Sequence, residues 1–205
     1  MIANVHRLSF IRQRLAEARP LLFEPAENTR QAAVAVILRE TRDDSDLLFI
    51  KRAEKAGDPW SGHMAFPGGH LEAADPDLRA AAARETLEET GLDLTDAEYL
   101  GPLDHQRAMP RGRTLNMLIA PHVFVVHGDP QFTPNYEVQE VLWTSLKRLI
   151  GNTCHDTETR PMAGTPTVFN GYRLERGHFV WGLTYRMLKA FFSTLDPGWQ
   201  PPRER

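Results

Sequence analysis

Residues 68–92 read GGHLEAADPDLRAAAARETLEETGL, a paired-glycine turn leading into one helix. Asp75 is a good N-cap, Pro76 suits the first helical position and Asp77 favours the positive end of the helix dipole. The alanines at 80–83 have high helix propensity, and Gly91 sits where a glycine ends a helix. The helix is therefore predicted over 76–90. On a wheel of about 100° per residue, Leu78, Ala81, Ala82 and Leu92 share one face. Glu85 and Glu89 fall in the middle of it, with Glu88 beside them. Ala80, Ala83 and Leu87 make a second apolar face opposite, so the helix is expected to be covered on both sides. Carboxylates on a covered face need compensation, because burying an unpaired charge is costly. Arg84 can help Glu88 at i,i+4. Three converging carboxylates still repel one another and call for a multivalent cation, and all-oxygen ligation suits Mg2+ or Mn2+ rather than zinc. At Gly69 a main-chain carbonyl or amide can approach a metal or phosphate with no Cβ in the way.

Upstream of the turn, residues 31–39 (QAAVAVILR) form an apolar run bounded by polar residues, which predicts a buried strand. Residues 47–52 (LLFIKR) predict a second. Downstream, strands are expected near 94–106 and 115–127, with Arg107, Arg111 and Arg113 between them. A further strand is expected at 138–144, a short helix at 145–150 and a closing helix at 181–195. Residues 151–173, rich in Gly, Pro and Thr, read as a long loop or hairpin. At the N-terminus Val5, Leu8, Ile11 and Leu15 recur at helical spacing. They predict an amphipathic helix on the domain or on a partner subunit, with a targeting segment as the alternative. The chain thus divides into an N-terminal helix and connector (1–30), a main domain (31–195) and a tail (196–205). The fold class is α/β (α+β), a mixed sheet with helices on its faces.

The chain has 205 residues, 24 Lys and Arg against 27 Asp and Glu, and 41% apolar residues. That balance excludes a disordered chain and, with no block of like charge, gives no nucleic-acid footprint. No apolar run reaches the roughly 18 residues of a membrane span. One cysteine, Cys154, allows no internal disulfide and fits the cytoplasm; it reads as inert.

Gly69, Asp75 and the run Arg84-Glu85-Thr86-Leu87-Glu88-Glu89-Thr90-Gly91-Leu92 together resemble the Nudix box, G-x5-E-x7-R-E-U-x-E-E-x-G-U. Asp75 replaces the first Glu of that pattern, Thr86 replaces the aliphatic residue, and the stretch from Asp75 to Arg84 is one residue longer. The same extra residue occurs in the coenzyme A pyrophosphatase-like branch. Residues 47–53 with 62–69, and Trp181-Gly182-Leu183-Thr184, also resemble that branch. Where it carries a basic residue upstream, this chain has Gly57-Asp58-Pro59-Trp60.

The resemblance implies a Nudix-type α/β/α sandwich with the box helix packed between layers. It implies water attack on the diphosphate of a nucleoside diphosphate derivative, with coenzyme A or a similar compound favoured. Other substrates left open are ADP-ribose, nucleotide sugars and dinucleoside polyphosphates; a non-catalytic nucleotide-binding regulator is a further alternative. Mg2+ or Mn2+ offsets the charge of the diphosphate and orients the water. Glu85, Glu88 and Glu89 are the expected metal ligands, with the Gly69 carbonyl, and Arg84 orients the glutamates. Asp75 is a helix cap or a carboxylate near the metal. Glu137 and Glu140 are candidates for the base. Arg52, Arg107, Arg111 and Arg113 are candidates for binding substrate phosphate. His63 and His70 read as structural or surface histidines, and Trp60, Phe169 and Tyr172 as core or surface aromatics, with stacking on a base as the alternative. No membrane partner is expected, and the N-terminal helix leaves room for a homodimer.

Overall fold

The structure, a computed structural model, describes residues 4–42, 44–57, 60–108, 116–162 and 164–204. At its centre β1 (Arg30–Glu40) and β7 (Met117–Val126) run parallel in an eight-stranded mixed sheet. Every residue of β7 is buried, because the strand is covered on both faces. Beyond β7 lie β5 (Glu98–Pro102) and β6 (Gln106–Arg107).

Beyond β1 the sheet forks. Residues 32–34 pair with β4 (Gly68–His70), whereas residues 38–40 pair with β2 (Ser45–Arg52). β2 leaves β1 to pair with β3 (Met64–Ala65) and β8 (Val138–Ser145). The sequence prediction of strands at 31–39, 47–52 and 138–144 thus lies within a residue or two of β1, β2 and β8.

One face of the sheet carries α2 (Leu78–Thr90), whose Ala81 and Ala82 pack on Ala33, Ala35, Ile37, Leu48 and Ala120. The other carries α1 (Leu8–Glu17), α3 (Leu146–Ile150) and α4 (Gly182–Leu195), packed on Val36, Leu38, Leu47, Phe49 and Val123. Because these three helices all lie on the far face, no further layer among the described residues covers the outside of α2. Ala80 and Ala83 are only half-buried and Leu87 is 47% exposed, so the expected second covered side of the helix is absent.

α2 also starts later than predicted. Asp77 caps it, accepting from the Ala80 amide at 2.7 Å. Asp75 cannot do so, since its carboxylate is held by Arg84 and by the Glu72 amide. The C-terminal end is as read: Gly91 adopts φ 74° and ψ 4°, left-handed values that favour glycine.

Val5, Leu8, Ile11 and Leu15 are buried in the same core as α4, and Arg12 pairs with Glu98 of β5 at 2.7 Å. Residues 151–173 are a hairpin rather than a loop. β9 (His155–Met162) and β10 (Thr165–Arg173) pair in register and are joined by β11 (Phe179–Trp181) in a second, three-stranded antiparallel sheet. Tyr172, fully buried, roots this sheet in the main core. Cys154 is buried, its thiol pushed up by burial.

Candidate active site

The fork between β2 and β4 opens beside the C-terminal half of α2. The turn into β4 and the helix meet through two direct contacts. The Gly68 amide donates to Glu89 Oε2 at 2.9 Å. At Gly69 a Cβ would fall 2.4 Å from the Glu85 carboxyl carbon, so glycine is what lets the Glu85 carboxylate lie against the strand.

Glu89 is 2% exposed. Burial pushes its carboxyl up to about 7, with Glu85 and Glu137 adding to the rise; the Gly68 amide and Arg52 oppose it. Burial likewise raises Glu85, against the pull of Arg84. Glu88, one residue before Glu89, is exposed.

Arg84 organises this edge. Its Nε and Nη2 grip Asp75 as a fork at 3.0 Å each, and Nη2 also donates to the His70 carbonyl at 2.9 Å. Nη1 reaches Glu85 at 3.1 Å and Glu88 at 3.3 Å. The pairing drives the Asp75 carboxyl down and the guanidinium up. Asp75 is therefore an anchor for Arg84, neither the cap nor a carboxylate standing beside Glu89. The longer spacing before Arg84 still lets the shorter acid make a two-pronged ion pair. Thr86, at the position where the motif has an aliphatic residue, is fully buried. Its hydroxyl donates back to the Ala82 carbonyl at 2.7 Å, so the polar group is satisfied.

A loop brings in the next acid. The Thr133 amide donates to the Thr90 carbonyl at 2.8 Å and the Asn135 amide to the Glu89 carbonyl at 3.1 Å. These bonds satisfy carbonyls at the end of α2 and carry Glu137 towards Glu89. The polar spacing of Thr133 and Asn135 gave no sign of this from the sequence.

Glu140 does not join the cluster. It lies on β8 opposite Lys51, and its two oxygens meet Arg176 at 2.5 Å and His178 at 2.9 Å. A carboxylate committed to two donors on another part of the chain is poorly placed as a base, which corrects the expectation for Glu140. Of the arginines expected to meet phosphate, Arg52 stands close enough to lower the Glu89 carboxyl. Arg107 is exposed on β6, its guanidinium 5.4 Å from the Phe23 ring centroid. Arg111 and Arg113 lie outside the described residues, as does Asp58. Among the aromatic candidates Tyr172 is core and Phe169 packs on Trp181 at 4.5 Å.

Among the described residues no three of His, Cys, Asp and Glu stand close enough to hold an ion in their present rotamers. Arg84 Nη1 lies between Glu85 and Glu88. The donor set nevertheless fits a hard cation. Glu85, Glu88, Glu89 and a glycine carbonyl are all oxygen donors, and Glu89 is buried against further acids. The cradle left by the missing Cβ at Gly69 is the space in which Glu85 sits.

The chain matches the NUDIX domain family over residues 29–163. It is 34% identical to the human mitochondrial coenzyme A diphosphatase NUDT8, covering 84% of this chain and 72% of that protein. An uncharacterized protein of Schizosaccharomyces pombe is 33% identical over 57% of this chain, which spans only 40% of that longer protein. Among solved structures, a MutT/nudix family protein from Enterococcus faecalis superposes with TM-score 0.57 at 19% identity. That match covers 92% of this chain and 70% of the other, and it supports the fold alone. No helix of the described residues is long and apolar enough to cross a membrane.

Proposed function

The chain belongs to the NUDIX domain family, and from that premise we propose that this Nudix hydrolase cleaves the diphosphate of coenzyme A or a coenzyme A-like compound with Mg2+ or Mn2+. The observation that carries the reading is Glu89. A carboxylate this deeply buried, beside Glu85 and Glu137, is costly unless a cation completes it. Glu85, Glu88, Glu89 and the Gly69 carbonyl would hold the cation, which supplies charge neutralisation for an attacking water and the diphosphate.

The other residues have separate tasks. Arg84, locked by Asp75, orients Glu85 and Glu88. Glu137, carried towards Glu89 by the loop over α2, would accept the proton of the water. Arg52 offsets acid charge around Glu89 and would meet a phosphate oxygen of the substrate. The preference for coenzyme A rests on the branch-like motifs and on the human relative's activity. The proposed setting is the cytoplasm, as monomer or homodimer, with a small-molecule nucleoside diphosphate derivative as partner and no nucleic acid or membrane.

Product analysis tests this directly. Purified protein with Mg2+ or Mn2+ is offered coenzyme A, ADP-ribose, a UDP-sugar and diadenosine polyphosphates. Release of 3′,5′-ADP and phosphopantetheine with the highest kcat/KM is the expected result. An untouched coenzyme A beside a cleaved ADP-ribose or sugar diphosphate would move the substrate to that class. No metal-dependent turnover of any of them would leave the regulator reading.

A further inference from the structure

A polar cleft of about 350 Å3 lies between the end of β2 and the three-stranded sheet. That is within the size range of small-molecule sites, about 300–1,000 Å3. Lys51 and Glu54 line one wall; Glu158, Arg160, His178 and Phe179 line the other. It is tied to the active site through shared strands. Arg52 and Glu137, which flank Glu89, lie next to Lys51 on β2 and at the start of β8.

The charges in this cleft are unevenly matched. Lys51 faces Glu140 across the β2–β8 ladder and would ordinarily pair with it. Glu140 is already taken by Arg176 and His178. Among the described residues Lys51 makes no ion pair. On the opposite wall Glu158 serves two arginines, Arg160 at 2.6 Å and Arg173 at 2.5 Å. Arg160 thus shares its one acid with a second arginine, and its own Nε, buried behind the cleft wall, finds no acceptor among the described residues. The guanidinium is fixed 5.0 Å from the Trp181 ring centroid, and Trp181 Nε1 is likewise without an acceptor. Glu54, the remaining acid, is exposed at the rim. Two cations lining one cleft, Lys51 without an ion pair and Arg160 sharing its one acid with Arg173, suit an anion with several oxygens. The neutral amides of a pantetheine chain would leave the Lys51 charge unpaired.

We propose that Lys51 and Arg160 bind a phosphate monoester on the nucleoside half of the substrate, outside the diphosphate that is cleaved. This rests on the coenzyme A reading above, whose substrate carries such a group on its ribose. The two are separable, because the site can be probed by binding alone. Calorimetry would compare adenosine 3′,5′-bisphosphate with AMP on the full chain, while turnover compares coenzyme A with its 3′-dephospho form.

The bisphosphate is expected to bind about tenfold tighter than AMP. Lys51→Met and Arg160→Gln should each erase most of that preference while leaving AMP affinity and turnover of the dephospho compound unchanged. Lys51→Arg should restore it. Equal binding of the two nucleotides by the wild-type chain would overturn the proposal, as would variants that weaken both nucleotides alike. If the preference holds but coenzyme A is not cleaved, the subsite stands and the substrate reading falls. If coenzyme A and its dephospho form are cleaved equally well and the nucleotides bind equally, the substrate reading stands and the subsite falls.

Discussion

Glu89 and Glu140 are the same residue type on regular elements a short distance apart, yet the chain treats them oppositely. Glu140 meets two side-chain partners, the Arg176 guanidinium and the His178 ring, and ties β8 to the turn before β11. Among the described residues Glu89 accepts from one backbone amide, and the pull of Arg52 does not cancel burial and the charges of Glu85 and Glu137. The first acid is compensated by its own chain and the second is left short. An interior acid left short of partners lowers stability, so its retention points to a ligand that supplies what is missing. The contrast is what makes Glu89, and not Glu140, the proposed working acid without reference to the motif.

Replacing Glu89 gives the largest expected effects, and they have opposite signs. Glu89→Gln should lower kcat/KM on the order of 10³-fold, as expected for loss of a metal ligand or acid-base group. The same change should stabilise the metal-free protein at high pH. The carboxyl holds its proton up to about 7 when folded but only up to its ordinary value of 4.5 when unfolded. The penalty for ionising it is therefore absent below about pH 4.5, grows between the two values and is full above 7. Its ceiling is about 3 kcal/mol. Denaturant melts at pH 8.5 and pH 5 should show Glu89→Gln more stable than wild type at the first and near equal at the second. A variant less stable at both would mean that Glu89 is satisfied as it stands, and the contrast with Glu140 would collapse.

Gly69→Ala should follow in size. The added methyl would meet the Glu85 carboxyl at 2.4 Å and push it from its place. Misplacing one ligand by about an ångström is expected to cost about 10²-fold in activity. Metal titration should show the apparent affinity falling with it, while the fold melts as before. Unchanged activity would show that Glu85 has room to act from another rotamer.

Much of this was legible before any coordinates. The strands at β1, β2 and β8 announce themselves because both faces of the sheet are covered and the apolar runs are unbroken. The Glu85, Glu88 and Glu89 constellation follows from a 3.6-residue period. What stayed hidden depends on competition between partners. Asp75 reads as a cap because its sequence position is right for one; only the reach of Arg84, nine residues on, removes it and passes the cap to Asp77. Leu87 reads as a packing residue, but its cover depends on where α1, α3 and α4 settle. Glu140 and Glu137 are three residues apart and look equivalent. The β-bulge opposite residues 51 and 52, and the arrival of Arg176 and His178, send them to different neighbours. No local pattern encodes that choice.

The smallest effect belongs to Glu140, and it is the sharpest check on the comparison. Its side chain is about a quarter exposed, so each ion pair is weakened by water and salt. Glu140→Gln keeps the shape and a hydrogen-bonding group while removing the charge. Stability should fall by about 1 kcal/mol or less. Turnover of a substrate lacking the ribose monoester should stay within about threefold of wild type, since no acid-base step is lost. Denaturant melts and kcat on 3′-dephospho-coenzyme A, measured beside Glu89→Gln, give both numbers. A loss in kcat comparable to that of Glu89→Gln would return Glu140 to the catalytic machinery, and compensation by Arg176 and His178 would no longer distinguish a structural acid from a working one.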